Sequence, residues 1–147
     1  MTNIKFNAAD LDAATLYSRA KEESEQIFAK ESTRRGRSLQ KIIETSLYGH
    51  AAELYLIEKC GFKDDPRKYK DLFDTEGNSV EVKVTEGDYY VPYVLDRAGK
   101  SKLCDWRDFS DILYIFIGNK ITADYNLHGV YKWIENKFVL QRTTNIV

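Results

Sequence analysis

Proline, cysteine and methionine are scarce in this chain of 147 residues (two, two and one), glycine is modest at eight, and no long apolar run occurs. Each scarcity excludes something. So little Pro and Gly leaves small room for flexible linkers, and the expectation is a single domain, residues 1–147, with one core. Cys60 and Cys104 are too few for a disulfide framework. The longest strongly apolar stretch, ILYIFIG at 112–118, falls far short of the about 20 residues of a membrane-spanning helix, so no membrane partner is expected. The opening MTNIKFNAADLDAATL has no apolar segment followed by a small-residue cleavage site. No secretion signal is therefore read, and the expected setting is the cytoplasm with both thiols reduced. A zinc site from Cys60, Cys104, His50 and His128 would lack ligand-like spacing in every pair.

What is plentiful is aromatic and charged. Ten Tyr, seven Phe and two Trp accompany a 43% hydrophobic and 31% charged composition, that of an ordinary globular protein. A net charge of −1 argues against a protein that coats nucleic acid indiscriminately. The charge is uneven, however. KESTRRGRSLQK at 30–41 sets five basic residues against Glu31, and RAGKSKLCDWR at 97–107 sets four against Asp105, whereas residues 1–29 lean acidic. Basic patches on a near-neutral background suit a protein that meets phosphates at particular places, although solvated loops have the same texture.

Residues 8–30, rich in Ala, Leu, Glu and Lys, predict a first helix. Gly36 then breaks the pattern and Ser38 offers an N-cap. Leu39, Ile43, Leu47, Ala51 and Leu54 keep helical spacing, and Gly61 stops the second helix after Cys60. The texture then turns to strands. DLFD and SVEVKV flank TEGN as a hairpin. YYVPYVL at 89–95 reads as a strand that Pro92 confines to an edge or bulge, and WRDF as a short helix. DILYIFIG is a strand buried on both faces. Beyond Asn119 the signals weaken, with a hairpin around ENK or a short helix near 137–140. Helices first and strands after predict an α/β fold, a small mixed β-sheet flanked by helices.

The chemistry concentrates in DLFDTEGNSVEVK at 71–83. Side chains alternate across a strand, so Val80, Val82 and Val84 face the core while Glu81 and Lys83 share the other face, about 6–7 Å apart. A hairpin centred on Glu76 sets Asp71 opposite Glu81, with Cβ atoms roughly 4.5–5.5 Å apart. A turn shifted by one residue would break that register. Two carboxylates so close repel unless a cation lies between them, and a divalent ion such as Mg²⁺ resolves the conflict. Lys83 beside it could orient or deprotonate a water, or neutralise phosphate charge in the transition state. The bland alternative is that Glu81 and Lys83 are a solvated pair on an exposed strand face.

A helix bearing a glutamate, a strand with Asp, a turn, and a strand ending in Glu-Val-Lys together resemble the PD-(D/E)XK nuclease superfamily. The resemblance covers roughly residues 38–118, leaving 1–37 as a helical N-terminal extension. It implies a restriction-endonuclease-like core, a mixed four-stranded sheet flanked by helices. It also implies roles: Asp71 and Glu81 as metal ligands with the Val82 carbonyl, Glu53 on the helix reaching the metal directly or through water, and Lys83 as the catalytic lysine. No Pro precedes Asp71, where Lys70 stands instead. Asp74 competes as the acid but reads naturally as a turn residue. The implied activity is Mg²⁺- or Mn²⁺-dependent endonucleolytic hydrolysis of DNA, leaving 5′-phosphate and 3′-hydroxyl ends. Nothing in the residues separates DNA from RNA.

Arg34, Arg35 and Arg37 are the candidates for phosphate contacts. Tyr89, Tyr90 and Tyr93 could stack on bases or simply pack. His50 lies three residues before Glu53 on the same helix face and could touch a phosphate, or sit half-buried as helix histidines commonly do. Glu44 and Glu58 are expected to be solvated, and Thr85 to share the Lys83 face. So small a chain clasps one face of a duplex, so two-strand cleavage implies a homodimer. A module that kept the fold for binding nucleic acid or protein, without chemistry, is the alternative.

Overall fold

A computed structural model describes residues 4–31, 38–65, 72–104 and 109–142. The chain is mixed α/β. Its elements run β1 (Lys5–Asn7), α1 (Ala13–Glu31), α2 (Leu39–Cys60), β2 (Lys63–Asp64), β3 (Leu72–Phe73), β4 (Ser79–Thr85), α3 (Val91–Lys102), β5 (Ile112–Gly118), β6 (Asp124–Ile134) and β7 (Lys137–Arg142). The strands form one seven-stranded sheet in the order β1-β6-β5-β4-β3-β2, with β7 also paired to β6. β4 and β5 are parallel, and every other pair is antiparallel. The sheet is thus larger than the small one expected.

Helix α2 forms where its spacing predicts. The Ser38 side chain accepts from the Lys41 amide at its start, and Gly61 closes it in the left-handed region at φ 77°. β5 bears out the two-sided strand: Leu113 and Ile115 lie on one face, Tyr114 and Phe116 on the other, all buried. Two cores result. The larger joins Val80, Val82, Tyr114 and Phe116 to Ala51, Ala52, Leu54 and Leu56 of α2 and Leu16 of α1. The smaller joins Leu113, Ile115 and Tyr131 to Val91 and Ala98 of α3 and to Phe109. Helices therefore cover both faces of the sheet.

The strand expected at 89–95 is a correction: Asp88–Tyr90 form a 3-10 turn and α3 follows from Val91. Pro92 sits in the first turn of α3, where a missing N–H breaks no helical hydrogen bond. Val91, Val94, Leu95 and Ala98 then face the smaller core at helical spacing. The first helix begins later than expected, at Ala13 after a 3-10 turn at Ala8–Asp10. Near ENK the chain makes the hairpin, with Glu135 and Asn136 both at positive φ (51° and 65°), as a tight turn between twisted strands demands. Trp106–Asp108, most of the expected short helix WRDF, lie outside the described residues. Among the described residues no helix is long and apolar enough to cross a membrane.

Candidate active site

β3 and β4 pair through Leu72↔Val80 and Phe73↔Ser79, the register of a hairpin centred on Glu76. Asp74 holds the turn: its carboxylate accepts from the Glu76 amide (3.0 Å), the Asn78 amide (2.8 Å) and the Asn78 side chain (3.2 Å). That occupies the competing acid with local work. Asp71 lies outside the described residues, as do Arg34, Arg35 and Arg37.

The middle of β4 carries Glu81 and Lys83. Their registers, Glu81 with Leu113 and Lys83 with Ile115, put both on the α3 face, opposite Val80 and Val82. Glu81 is only 5% exposed, so the solvated strand-face pair does not describe it. Lys83 is half-buried and borders two clefts. One, of about 450 Å³, lies between α1, α2 and β4 and is lined by Glu23, His50, Glu53 and Val82 among others. The second, of about 330 Å³, lies under α3 with Tyr93, Arg97, Ser101 and Phe109. The Lys83 Nζ stands 6.0 Å from the centroid of the Phe109 ring.

The first cleft holds a charge network. His50 and Glu53 are one helical turn apart on α2 and face α1. His50 Nε2 lies 2.9 Å from Glu23 Oε2, and its Nδ1 lies 3.8 Å from Glu53 Oε2. Nδ1 is buried and has no hydrogen-bond partner among the described residues. Arg19, one turn before Glu23 on α1, reaches Glu53 at 3.2 Å and both oxygens of Asp64 at 2.9 and 2.8 Å. Burial pulls the His50 imidazole down, but the Glu23 hydrogen bond and the charges of Glu53 and Glu23 overcome it and hold the ring above its ordinary value. In return the His50 hydrogen bond, aided by the charges of Lys83 and Arg19, outweighs burial and holds the Glu23 carboxyl below the usual range. When protonated, the imidazole is a built-in cation between two carboxylates.

The fold thus brings Glu53, Val82 and Lys83 to one cleft, whereas Glu81, on the α3 face with Lys83, does not line that cleft. Among the described residues no group of three or more His, Cys, Asp or Glu is arranged to hold a metal ion, the zinc quartet included. Glu44 is exposed as expected, and the exposed Glu58 accepts from the Asp12 amide. Arg19 and Glu23 escaped sequence reasoning. Their only signal is an i,i+4 pair on α1 opposite an i,i+3 pair on α2, and which faces meet is decided by packing. No family model, no curated protein and no solved structure matches this chain.

Proposed function

We propose that this chain is a divalent-metal-dependent endonuclease of the restriction-endonuclease-like fold, hydrolysing DNA phosphodiester bonds with Lys83 as its catalytic lysine. The observation that carries the reading is the burial of Glu81, 5% exposed, two residues from a lysine that opens onto two clefts. A strand face meant only for solvent would expose the carboxylate; burying one is costly and suits a site built for chemistry. Element order supports it too. A helix with Glu53, a β3–β4 hairpin, Glu81 and Lys83 on β4 and a next core strand in β5 follow in the sequence the resemblance requires.

Hard carboxylate oxygens are the donors Mg²⁺ or Mn²⁺ prefers. The described residues alone do not complete such a set, so the reading requires Asp71 beside Glu81, with the Val82 carbonyl; Glu53 borders the cleft through which Lys83 also opens. The metal would supply charge neutralisation at the phosphate. The chain's own part falls to Lys83. Its ammonium offsets the charge that gathers on the phosphate oxygens as water oxygen bonds to phosphorus and the P–O3′ bond breaks, the 3′ oxygen leaving with a proton. The ends are then 5′-phosphate and 3′-hydroxyl. Cutting both strands of a duplex would call for a homodimer, and the setting is the cytoplasm.

One observation favours the second reading, a non-catalytic module for nucleic acid or protein. Arg19 already neutralises Glu53 and Asp64, as a bound cation would. Supercoiled plasmid mixed with the protein in Mg²⁺, Mn²⁺ or EDTA separates the two. Metal-dependent nicking that Lys83→Ala abolishes, with its thermal melt intact, is the expected result. Intact plasmid in every metal, or cutting unchanged in Lys83→Ala, would sink the proposed site for DNA; RNA and branched substrates follow.

A further inference from the structure

Three exposed tyrosines stand at the start of α3, and one of them, Tyr93, lines the second cleft. Tyr89 is 88% exposed, Tyr90 49% and Tyr93 60%. Large apolar rings clustered in solvent forgo the gain of burial, and such clusters mark contact surfaces. The 3-10 turn and first turn of α3 fix them. Tyr89 and Tyr90 meet edge to face, centroids 5.4 Å apart, while Arg97, one turn beyond Tyr93, lies 5.8 Å from its ring and donates to its hydroxyl at 3.3 Å. Tyr93 and Arg97 line the same 330 Å³ cleft as Lys83. Of the acids nearby, Asp96 pairs with Lys100 at 3.1 Å, and Asp88 lies 3.6 Å from the His128 ring.

We infer that Tyr89, Tyr90 and Tyr93 with Arg97 form a stacking platform for the bases of single-stranded DNA, leading the strand along the α3 cleft toward Lys83. The inference rests on the nuclease reading only for where the strand goes. Exposed rings beside a cation are what a single strand needs: π faces for bases and positive charge for its phosphates. A closed duplex hides its base faces, so the platform favours unpaired strand. The rings, not the hydroxyls, supply the contact.

The test is fluorescence anisotropy with a short labelled oligothymidylate and a matching duplex, in EDTA so that nothing is cut. The wild-type chain is expected to prefer the single strand. Tyr89→Ala and Tyr93→Ala should each weaken binding about 5- to 100-fold. Tyr93→Phe, which keeps the ring, should stay within about twofold of wild type on the same stacking argument. Ile121→Ala, which trims a side chain 95% exposed at the β5–β6 turn, should change nothing. No single-strand binding by the wild type, or binding indifferent to the two Ala variants, overturns the platform. So does loss of binding together with dissociation of a dimer, which makes the rings a protein interface. A chain that binds through the rings but never cuts keeps this inference and loses the nuclease reading; one that cuts while ignoring the rings does the reverse.

Discussion

Replacing Glu23 by Gln removes one charge from the α1–α2 cleft and leaves the side chain's size unchanged. The Glu23–His50 contact at 2.9 Å is a charge-assisted hydrogen bond while the imidazole is protonated. Bonds of that kind contribute about 1.5–3 kcal/mol when well shielded. Here the histidine side chain is 10% exposed but the glutamate is 51% exposed. Solvent screening on the glutamate side reduces the expectation to about 1 kcal/mol. For a chain of this size that is about 3 °C in melting temperature. The pH dependence follows from the directions of the two shifts. The His50 value is raised, so its contribution is complete below the unfolded value near 6.5 and fades as pH rises through the folded one. The Glu23 value is lowered, so its contribution is present above the unfolded value near 4.3 and fades as pH falls through the folded one. The window in which both charges stand is therefore roughly pH 4.5 to 6.5 and somewhat beyond on each side. Glu23→Gln should cost its full amount at about pH 5.5 and clearly less at about pH 9. The attraction of Glu23 to Lys83 and Arg19 does not vary with the His50 proton, so the difference between the two conditions isolates the pair. A thermal melt at both values, wild type beside variant, measures it. An equal cost at both, or a larger one at the alkaline end, would refute the assignment of a charged histidine.

Two further outcomes are expected. Arg19→Met removes the guanidinium 3.2 Å from Glu53, 15% exposed, and should cost about 2 kcal/mol in denaturant unfolding, part of which Glu53→Gln in the same chain should restore. Additive losses in that double-mutant cycle would show that the two do not interact. Gly118→Ala would drive a Cβ to 2.6 Å from the Tyr125 ring and 2.9 Å from the Tyr48 ring. Those rings are tied by hydrogen bonds, Tyr48 Oη to the Gly118 carbonyl at 2.7 Å and Tyr125 Oη to the Tyr48 carbonyl at 2.9 Å, so they cannot step aside freely. The loss should be about 1–3 kcal/mol, seen as a lower denaturant midpoint with an unchanged slope.

Legibility in the sequence followed the range of the forces involved. α2 was readable because its signals are local: a Ser cap, a five-position apolar stripe and a glycine stop. β5 was readable because seven apolar residues in a row suit a strand covered on both faces. The β3–β4 hairpin was readable from the turn residues, but its register was not, because a turn shifted by one residue has the same local signals. The structure adopts the register centred on Glu76, and Asp74 performs the turn work its position suggests. α3 is not legible locally because Tyr and Val favour strands and Pro92 reads as an edge marker, whereas its first-turn position makes it a helix starter. β1 and most of β6 carry no local signature strong enough to announce them. At the candidate site, the alternation of β4 placed Glu81 and Lys83 on one face correctly. The α1–α2 network was invisible, because it depends on which faces of two helices meet across a crossing anchored at Ala20, Ser24 and Ser46, with the two serine hydroxyls 3.0 Å apart.

The outer edge of β6 is shared by two strands of very different origin. β7 takes Val130–Ile134 across a tight hairpin, while β1 takes Asp124–Asn126 from some 120 residues earlier. On the ribosome, then, residues 5–7 wait on the order of ten seconds for their partner to be made. During that time Phe6 cannot yet lie between Tyr55 and Tyr125, whose rings stack on it at 4.3 and 4.8 Å. Once β6 emerges, half of its edge is sealed by the strand that follows it, and the other half stays open to any passing chain until β1 returns. That last closure covers the half-edge on which another chain could otherwise pair.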